Sequence, residues 1–322
     1  MMSKNQLGHI LCENNVMTYI CGDHSSWRMP AGYDFIIKSD GSISPSDGNY
    51  KYHTAEIITK PMTYRASHIS KLDRLLKLLN KLGCEVNRST GFHVHHGITP
   101  DELTLPFLKS LYNLCYRYEP VIYGLVAPSR ATNHFCEVLP SKSRVAKVDS
   151  FQDFMGKTGR QRYGCNFSAL TKDRNRSTIE FRYHHGTLDF KKIMSWMIFT
   201  QKLIEHSKNR FCGSKNRVQN DKASLYNLLY TIGMKANSKI YPKVNSEILD
   251  ASAYLVDTWK KFKGDTAPAP IADAMSANLA QGIVMEQAQH NVVHAPLTPP
   301  TRFLYDLGDA NNLTQAQIRG DR

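Results

Sequence analysis

The segment from Ser67 to Leu82 carries six apolar residues at helical spacing, and Gly83 follows it. Residues three and four apart lie on one face of an α-helix, so this spacing predicts an amphipathic helix with one buried side. A glycine directly after the helix suits the left-handed backbone of a C-cap. The six apolar residues are Ile69, Leu72, Leu75, Leu76, Leu79 and Leu82.

Extended segments lie on both sides of this helix. Residues 33–44, YDFIIKSDGSIS, are predicted to form a strand that ends at an Asp-Gly turn, and residues 53–62 form a second strand that Pro61 stops. After the helix, GFHVHHG at 91–97 is predicted to be a strand. YGCNFSA and TIEFRYHH are predicted to pair as a hairpin.

Helices are mixed with these strands. Thr99 and Glu102 have the spacing of a capping box with Pro100 at the first helical position, which predicts a helix over about 100–118. Asp189 is predicted to cap a helix through Ile204, and two more helices are expected within 221–236 and 246–262. Because no regular β-α-β repeat is present, we predict an α+β fold with a mainly antiparallel sheet flanked by helices.

The composition changes beyond residue 262. Residues 263–322 are rich in Ala, Pro, Gln and Asn, which is typical of a linker and tail. We therefore expect one domain over residues 1–262 and a largely disordered tail over residues 263–322.

The chain has a net charge of +13 and a pI near 9.3, with its densest basic region at 140–182. This charge indicates an anionic partner and leaves nucleotide phosphates, nucleic acid and an acidic substrate open. The seven cysteines include no C-x-x-C pair, and no apolar run approaches the roughly 20 residues of a membrane span. We expect a cytoplasmic protein with reduced thiols and no membrane partner.

Two strands carry the residues with candidate chemistry. Successive side chains of a strand alternate between its faces, so His93 and His95 share one face of GFHVHHG. In TIEFRYHH the same alternation places Glu180, Arg182 and His184 together. Histidines also occur as satisfied residues of ordinary sheets, and an exposed Glu/Arg pair contributes little stability, so this pattern alone leaves a structural role open.

Glu56 adds a second carboxylate, in the apolar strand AEIIT, where an unpaired buried carboxylate would be costly. If Glu56, His93, His95 and Glu180 face one cleft, they form a mixed oxygen and nitrogen set that suits a divalent cation. Mg²⁺ with nucleotide phosphates is the usual occupant of carboxylate-rich sites. Arg182 would then neutralise phosphate.

A phosphate-binding loop of the Walker type is excluded. Gly156, Lys157 and Thr158 match only the end of that motif, and Phe151 stands where its first glycine is required. If the protein binds ATP, it does so by another arrangement.

Taken in order, these segments resemble the amidoligase family, ATP-dependent carboxylate-amine ligases of the glutamine synthetase superfamily. The resemblance covers about residues 30–205 and implies a glutamine synthetase-like fold. It is carried by DGSI, EIITKP, the leucine-rich helix, VNRSTGFHVHHG, PSRATN, RYGCNFSAL, TIEFRYHHGTLD and a Trp-containing helix.

The resemblance implies that a carboxylate attacks the γ-phosphate of ATP and that an amine then displaces phosphate from the acyl phosphate. ATP and Mg²⁺, or Mn²⁺, would be the cofactors. The partners would be a carboxylate-bearing and an amine-bearing substrate, each a small molecule, a peptide or a protein side chain. Nucleic acid is the less favoured partner.

By position, the resemblance implies that Glu56, His93 and Glu180 bind metal and that Arg182 acts with Glu180 in catalysis. Four further residues are implied to contact substrate or nucleotide: Arg130, Asn166, Arg162 and His95.

The N-terminal stretch departs from the family pattern. The family usually opens with a strand G-x-E-x-E whose glutamates complete the metal sites, but in LGHILCENN these positions hold Ile10 and Cys12. Glu13, also counted among the metal ligands, would be one residue out of phase on a strand. Three explanations are open. A bulge returns Glu13 to the face that binds metal, another acid such as Asp23 or Asp34 replaces it, or full metal binding is lost.

Three functions therefore remain open. The leading one is an ATP-dependent ligase that forms an amide or peptide bond. The alternative is a non-catalytic basic module on the same fold that binds a nucleotide or a polyanion, because the N-terminal acids are missing. A metal-dependent hydrolase that uses the His and Glu residues is the third.

Overall fold

The computed structural model describes residues 2–21, 30–44, 54–171, 177–236, 241 and 243–263. The predicted tail lies outside the described residues, apart from residue 263. The described residues divide into two compact units, each treated separately below. The first draws on Met1–Asp40 and Ala55–Leu78, and the second on Gly41–Thr54 and Leu79–Ser276.

The first unit contains a three-stranded sheet in the order β1-β2-β3. Its strands are β1 (Thr18–Ile20), β2 (Phe35–Lys38) and β3 (Glu56–Thr59). Strand β1 is parallel to β2, whereas β2 and β3 are antiparallel, with Lys38 directly opposite Glu56. The predicted strands before and after the Asp-Gly turn are confirmed.

Helix α1 (Lys4–Glu13) precedes this sheet. The Ser3 side chain accepts a hydrogen bond from Gln6 N, and the Gln6 side chain accepts one from Ser3 N, which together form a capping box. The expectation that LGHILCENN forms a strand is therefore wrong, since most of it is helical. A bulge that returns Glu13 to a strand is excluded for the same reason.

Helix α2 (Ala66–Lys81) confirms the leucine-spaced helix. Gly83 has φ +71°, and two hydrogen bonds close the helix end, from Gly83 N to Asn80 O (3.1 Å) and from Cys84 N to Leu79 O (3.0 Å). The helix begins in the first unit, and its last turn, from Leu79, belongs to the second.

The second unit contains the other sheet, in the order β4-β6-β5. Its strands are β4 (Gly91–Gly97), β5 (Cys165–Asn166) and β6 (Thr178–His185), and both pairs are antiparallel. The predicted pairing of the segments that contain β5 and β6 is confirmed. The register of β4 and β6 shifts between Phe92 and Val94.

Helices cover one face of this sheet. Ile179, Phe181 and Tyr183 of β6 are completely buried, and the Tyr183 hydroxyl donates to Glu119 of the first helix of this layer (3.1 Å). The helices of the second unit are α3 (Leu105–Gly124), α4 (Ser143–Ala146), α5 (Phe151–Thr158), α6 (Phe190–Asn209), α7 (Lys222–Thr231) and α8 (Ser246–Lys263).

Asp189 caps α6 as predicted, because its side chain accepts a hydrogen bond from Lys192 N (3.0 Å). The predicted start of α3 is wrong. Thr104 is the N-cap, and Glu102 accepts from Thr99 N (3.0 Å) within a separate turn before the helix. The capping-box spacing thus stabilises a turn at residues 99–102, ahead of the helix.

The fold is α+β, with small sheets in which antiparallel pairs predominate. The seven cysteines are all unbridged. Among the described helices, none has the combination of length and apolar composition that crossing a bilayer requires.

Candidate functional site

Glu180 on β6 is the centre of a polar cluster in the second unit, and its side chain is only 7% exposed. Its Oε1 accepts a hydrogen bond from Arg182 Nη1 (2.6 Å), and its Oε2 accepts one from Asn166 Nδ2 (2.6 Å). Glu180 and Arg182 point to the same face of β6, as the alternation of strand side chains predicts. Asn166 reaches this face because β5 pairs with β6 at Glu180.

The Arg182 side chain has a second anchor. Its Nε donates to the carbonyl oxygen of Phe135 (3.1 Å). Two of its three nitrogens are therefore fixed, one by a carboxylate and one by the loop before Glu137. The guanidinium is held in one orientation while its Nη2 has no hydrogen bond among the described residues.

The two imidazoles of β4 lie beside the same carboxylate. His93 Nδ1 is 3.2 Å from Glu180 Oε1, and His95 Nε2 is 3.6 Å from it. His95 Nδ1 also contacts Thr178 Oγ1 (3.2 Å). The shared face predicted for His93 and His95 is confirmed, although the side chain of His95 is half exposed and that of His93 is largely covered.

The environment keeps His93 neutral. Burial lowers its pKa to about 3, and the positive charges of Arg182 and Arg130 add to this effect. The charged side chains around His93 are therefore those of Glu180, Arg182 and Arg130. Such an arrangement favours binding of an anion such as phosphate or carboxylate.

Gly91 is the residue that makes room for His93. A Cβ atom at this position would lie 2.8 Å from His93 Nε2, closer than side chains allow. A glycine at the end of a strand allows another group to approach the backbone closely. At Gly91 it is the imidazole of the same strand that makes the close approach.

Arg130 occupies a different environment from the one expected of a residue that contacts substrate. It lies in the 3-10 turn Pro128–Arg130 and is only 2% exposed. Its Nη2 donates to the carbonyl oxygen of Arg182 (2.6 Å) and its Nε to that of Tyr183 (3.3 Å). Both of these bonds go to the backbone of β6, and the guanidinium also interacts with the Cys136 side chain.

His184 does not continue the polar face, and this part of the prediction is wrong. Its ring packs against Phe92 (centroids 5.7 Å apart) and against Trp196 of α6 (5.0 Å). The register shift between Phe92 and Val94 explains the change, since an irregular pairing breaks the alternation of side chains beyond it.

A basic loop borders the cluster. Arg162 is exposed and its guanidinium lies 5.5 Å from the centre of the Phe135 ring. Residues 131–134 and 136–138 line a shallow depression of about 310 Å³ next to the carbonyl that anchors Arg182. The hydrogen bond from Arg182 to the Phe135 carbonyl could not be predicted from the sequence, because every residue has a backbone carbonyl.

The acids of the first unit have partners of their own. Glu56 is one-third exposed and forms an ion pair with Lys38 across β2 and β3 (2.7 Å), so it is neither fully buried nor unpaired. Asp34 is buried and pairs with Lys60 and Lys71. Burial acts to raise the pKa of Asp34, but its two lysine partners outweigh burial and hold the pKa below the usual range.

Glu13 is the last residue of α1 and is exposed. Asp23, the other acid considered as a replacement, lies outside the described residues. The binding of one metal ion by Glu56, His93 and Glu180 together stays a prediction.

The described cluster of the second unit does not fit a magnesium site. Mg²⁺ requires several oxygen ligands in octahedral geometry, and both oxygens of Glu180 already accept hydrogen bonds from Arg182 and Asn166. Within the part of the chain that the structure describes, no group of three or more His, Cys, Asp or Glu side chains is placed to hold a metal ion.

Comparison with known proteins places the chain in a family. The model of the family described as "Putative amidoligase enzyme" matches residues 14–204, which include both sheets and the whole cluster. This match spans more than half of the 322 residues, and the chain belongs to the amidoligase family. No curated protein and no solved structure matches it.

The matched range also revises the N-terminal alignment. It begins at residue 14, so most of LGHILCENN precedes it. The first strand inside the range is β1, whose sequence TYI contains no acidic residue. The two glutamates of the G-x-E-x-E pattern are therefore missing from β1 as well.

Proposed function

We propose that this protein is an ATP-dependent carboxylate-amine ligase with a glutamine synthetase-like fold. The observation that carries the proposal is the family match, because it covers the strands that bring Glu180, Arg182, His93 and Asn166 together. The reaction is proposed to take place in the cytoplasm, where ATP is abundant and the unbridged cysteines stay reduced.

The proposed reaction has two transfers. A carboxylate oxygen of the first substrate attacks the γ-phosphorus of ATP, the bond to the bridging oxygen breaks, and ADP leaves. The nitrogen of the amine substrate then attacks the acyl carbon, the bond between carbon and the phosphate oxygen breaks, and inorganic phosphate leaves. The nitrogen loses a proton to solvent as the amide forms.

Arg182 is proposed to meet the negative charge of the transferring phosphoryl group. Phosphoryl transfer depends mainly on positioning and on electrostatic stabilisation. The Phe135 carbonyl and Glu180 fix the guanidinium before substrate arrives, and Asn166 in turn fixes Glu180. Neutral His93 adds no charge to the carboxylate that orients Arg182.

The guanidiniums of Arg182 and Arg130 outnumber the single carboxylate of Glu180. The cluster therefore favours the phosphates of a nucleotide over a free cation. We therefore propose that the divalent ion, Mg²⁺ or Mn²⁺, arrives with ATP as part of the nucleotide complex.

Hydroxylamine provides a test that does not require the natural amine. It captures an acyl phosphate as a hydroxamate, which is measured by its colour with ferric ion. Purified full-length protein is incubated with Mg²⁺, ATP, hydroxylamine and, in turn, each amino acid or a panel of acidic peptides. Hydroxamate and ADP are expected to form in equal amounts with at least one carboxylate.

Arg182→Met is the decisive variant, and Arg144→Met is its matched control. Removing a charge that stabilises the transition state is expected to lower kcat by about 100-fold or more. Arg144 is exposed on α4, and the loss of its side chain should leave kcat within about twofold. Absence of ATP binding by calorimetry in the presence of Mg²⁺ would remove this proposal.

A second candidate is a non-catalytic module that binds an anion or polyanion. Two observations favour it: Arg182 already pairs with Glu180, and β1 contains no acid. Binding to a polyanion should weaken steeply as salt rises, because counterions are released. Fluorescence anisotropy of a labelled single-stranded DNA between 50 and 300 mM salt measures this, at about pH 7.

The two candidates are separated by turnover. Carboxylate-dependent release of ADP supports the ligase whatever the polyanion affinity is. Salt-sensitive binding without any turnover supports the module, and salt-insensitive or absent binding removes it. A metal-dependent hydrolase is not favoured, since the described residues provide no metal cluster to support it.

A further inference from the structure

Strand β6 contains a bulge at the residues that carry the cluster. Phe92 pairs with His184 and Val94 with Phe181, so the single residue His93 lies opposite both Arg182 and Tyr183. Two residues facing one is the defining arrangement of a β-bulge. A bulge interrupts the ladder, and the carbonyl groups within it need other hydrogen-bond donors.

Arg130 supplies these donors. Its Nη2 donates to the Arg182 carbonyl (2.6 Å) and its Nε to the Tyr183 carbonyl (3.3 Å), the two residues of the bulge. The side chain is 2% exposed, so water cannot easily replace it. An unsatisfied carbonyl in such a place is costly, and two in succession would favour a different backbone path.

The same guanidinium lies close to the imidazole opposite the bulge. A Cβ atom built on Gly91 would lie 3.6 Å from Arg130 Nη2 and 2.8 Å from His93 Nε2. The charge of Arg130 also helps to lower the pKa of His93. Arg130 therefore borders both strands at the point where their register shifts.

We propose that Arg130 is a positioning residue that holds the β6 bulge and thereby aims the Arg182 side chain at Glu180. The bulge sets the direction in which the side chain of Arg182 leaves the strand. Without Arg130, the bulge relaxes and the pairing of Arg182 with Glu180 loosens. The consequence for phosphoryl transfer rests on the proposed ligase function, whereas the positioning itself does not.

The planar fork of arginine is required for this role. Its nitrogens point in fixed directions and reach two neighbouring carbonyls at once, whereas lysine ends in a single ammonium. Arg130→Lys keeps the charge and most of the volume but serves only one carbonyl well. Arg130→Met keeps the volume and serves neither.

The test is an NMR measurement of the Arg182 side chain in full-length protein labelled with ¹⁵N-arginine. The Arg182 Nε–H signal is assigned through its loss in Arg182→Lys. In the wild type its exchange with solvent should be slow, because the group is held by the Phe135 carbonyl. Exchange should accelerate at least tenfold in Arg130→Met and by a smaller factor in Arg130→Lys.

Arg144→Met is the control, since this arginine is exposed and should leave the Arg182 signal unchanged. Thermal unfolding identifies the variants that remain folded, and Arg130→Lys carries the test if Arg130→Met does not fold. A purely structural Arg130 would lower the melting temperature of Arg130→Lys without altering the Arg182 exchange rate, and that result overturns the proposal.

Kinetics and binding separate positioning from contact with substrate. Positioning predicts that kcat falls at least tenfold in Arg130→Met, that KM for ATP stays within about threefold, and that Arg130→Lys recovers part of kcat. A contact residue would instead weaken ATP binding and leave the Arg182 signal as it is. If the wild type has no turnover, the ligase proposal fails, but the exchange rates still decide the role of Arg130.

Discussion

The carboxylate of Glu180 shows how one buried charge is stabilised by residues from several segments. Its two oxygens accept hydrogen bonds from Arg182 and Asn166, and its side chain is 7% exposed. A buried ion pair contributes little net stability, but the loss of one partner leaves the other charge unpaired in a medium of low polarity. The cluster is therefore sensitive to single substitutions.

Glu180→Gln should lower the free energy of unfolding by about 2–4 kcal/mol, because Arg182 loses its counter-charge while remaining largely buried. Urea unfolding followed by circular dichroism measures the change. The exposed pair of Asp257 and Lys260 provides the comparison, with Asp257→Asn expected to change stability by less than about 0.5 kcal/mol. Equal effects of the two substitutions would contradict a buried, coupled Glu180.

Some of this chemistry was predictable from single residues and their spacing. A period of two residues places His93 with His95 and Glu180 with Arg182, and the structure confirms both pairs. The anchoring of Arg182 by the Phe135 carbonyl was not predictable, because it depends on the path of a distant loop. The spacing of residues predicts which side chains share one face of a strand. It does not predict which backbone groups will lie opposite them.

At the level of elements, caps and spacing predicted the helices well. Gly83 ends α2 and Asp189 begins α6 at the expected places. Helices α4 and α5 were not predicted, since residues 125–160 were expected to be irregular. Two other failures have local causes. Ser3 and Gln6 form a capping box ahead of a stretch that we expected to be a strand, and Thr99 with Glu102 closes a turn that precedes α3.

Asp189→Ala should lower the free energy of unfolding by about 1 kcal/mol, because the Lys192 N–H at the start of α6 loses its acceptor. Chemical unfolding in urea at pH 7 tests this value. Asp101→Ala removes an exposed aspartate outside any helix and is expected to stay within about 0.5 kcal/mol of the wild type. A larger effect at residue 101 than at residue 189 would disagree with the cap.

The bulge in β6 is an element that no pattern in the sequence reveals. TIEFRYHH alternates without interruption, so it predicts one continuous polar face that includes His184. The structure instead turns His184 toward Trp196 of α6, beyond the register shift. A bulge arises from the pairing of two strands, and the partner β4 is about 80 residues away in the chain.

On the scale of the whole molecule, buried histidines couple stability to pH. Burial lowers the pKa of His184 to about 3 and of His206 to about 4, with nearby positive charge from His185 and Arg210 adding to it. Burial has the opposite effect on Glu119, whose pKa rises to about 7. Each group therefore binds protons differently in the folded and unfolded chains.

The unfolded chain takes up protons on histidine near pH 6.5, whereas folded His184 and His206 stay neutral until about pH 3–4. The unfolding free energy should therefore fall as pH decreases from 6.5 to 4. Glu119 acts in the opposite direction, because its contribution to the unfolding free energy decreases as pH rises from 4.5 to 7. It is one group, whereas several histidines act the other way.

His206→Gln should reduce this acid sensitivity, by up to about 1.4 kcal/mol for each pH unit between 6.5 and 4. Urea unfolding at intervals of half a pH unit gives the slope. His9→Gln removes an exposed histidine and should leave the slope as in the wild type. A slope that is unchanged in His206→Gln would show that this imidazole is already protonated in the folded protein.

The arrangement of strands was the least predictable part of the fold. The sequence predicts α+β with antiparallel pairing, which the structure confirms, but β1 lies parallel to β2 and the strands form separate three-stranded sheets. Local patterns identify strands one at a time. Which strands become neighbours depends on packing between segments far apart in the chain.

The absence of a side chain at Gly91 and the position of the His93 ring depend on each other. In its present position, the imidazole of residue 93 would lie 2.8 Å from a Cβ atom at residue 91, so a side chain there would force the ring to move. Among relatives of this protein, a larger residue at position 91 should therefore be accompanied by loss of histidine at position 93. Aligned natural variants would show this as correlated substitution, with glycine and histidine inherited together.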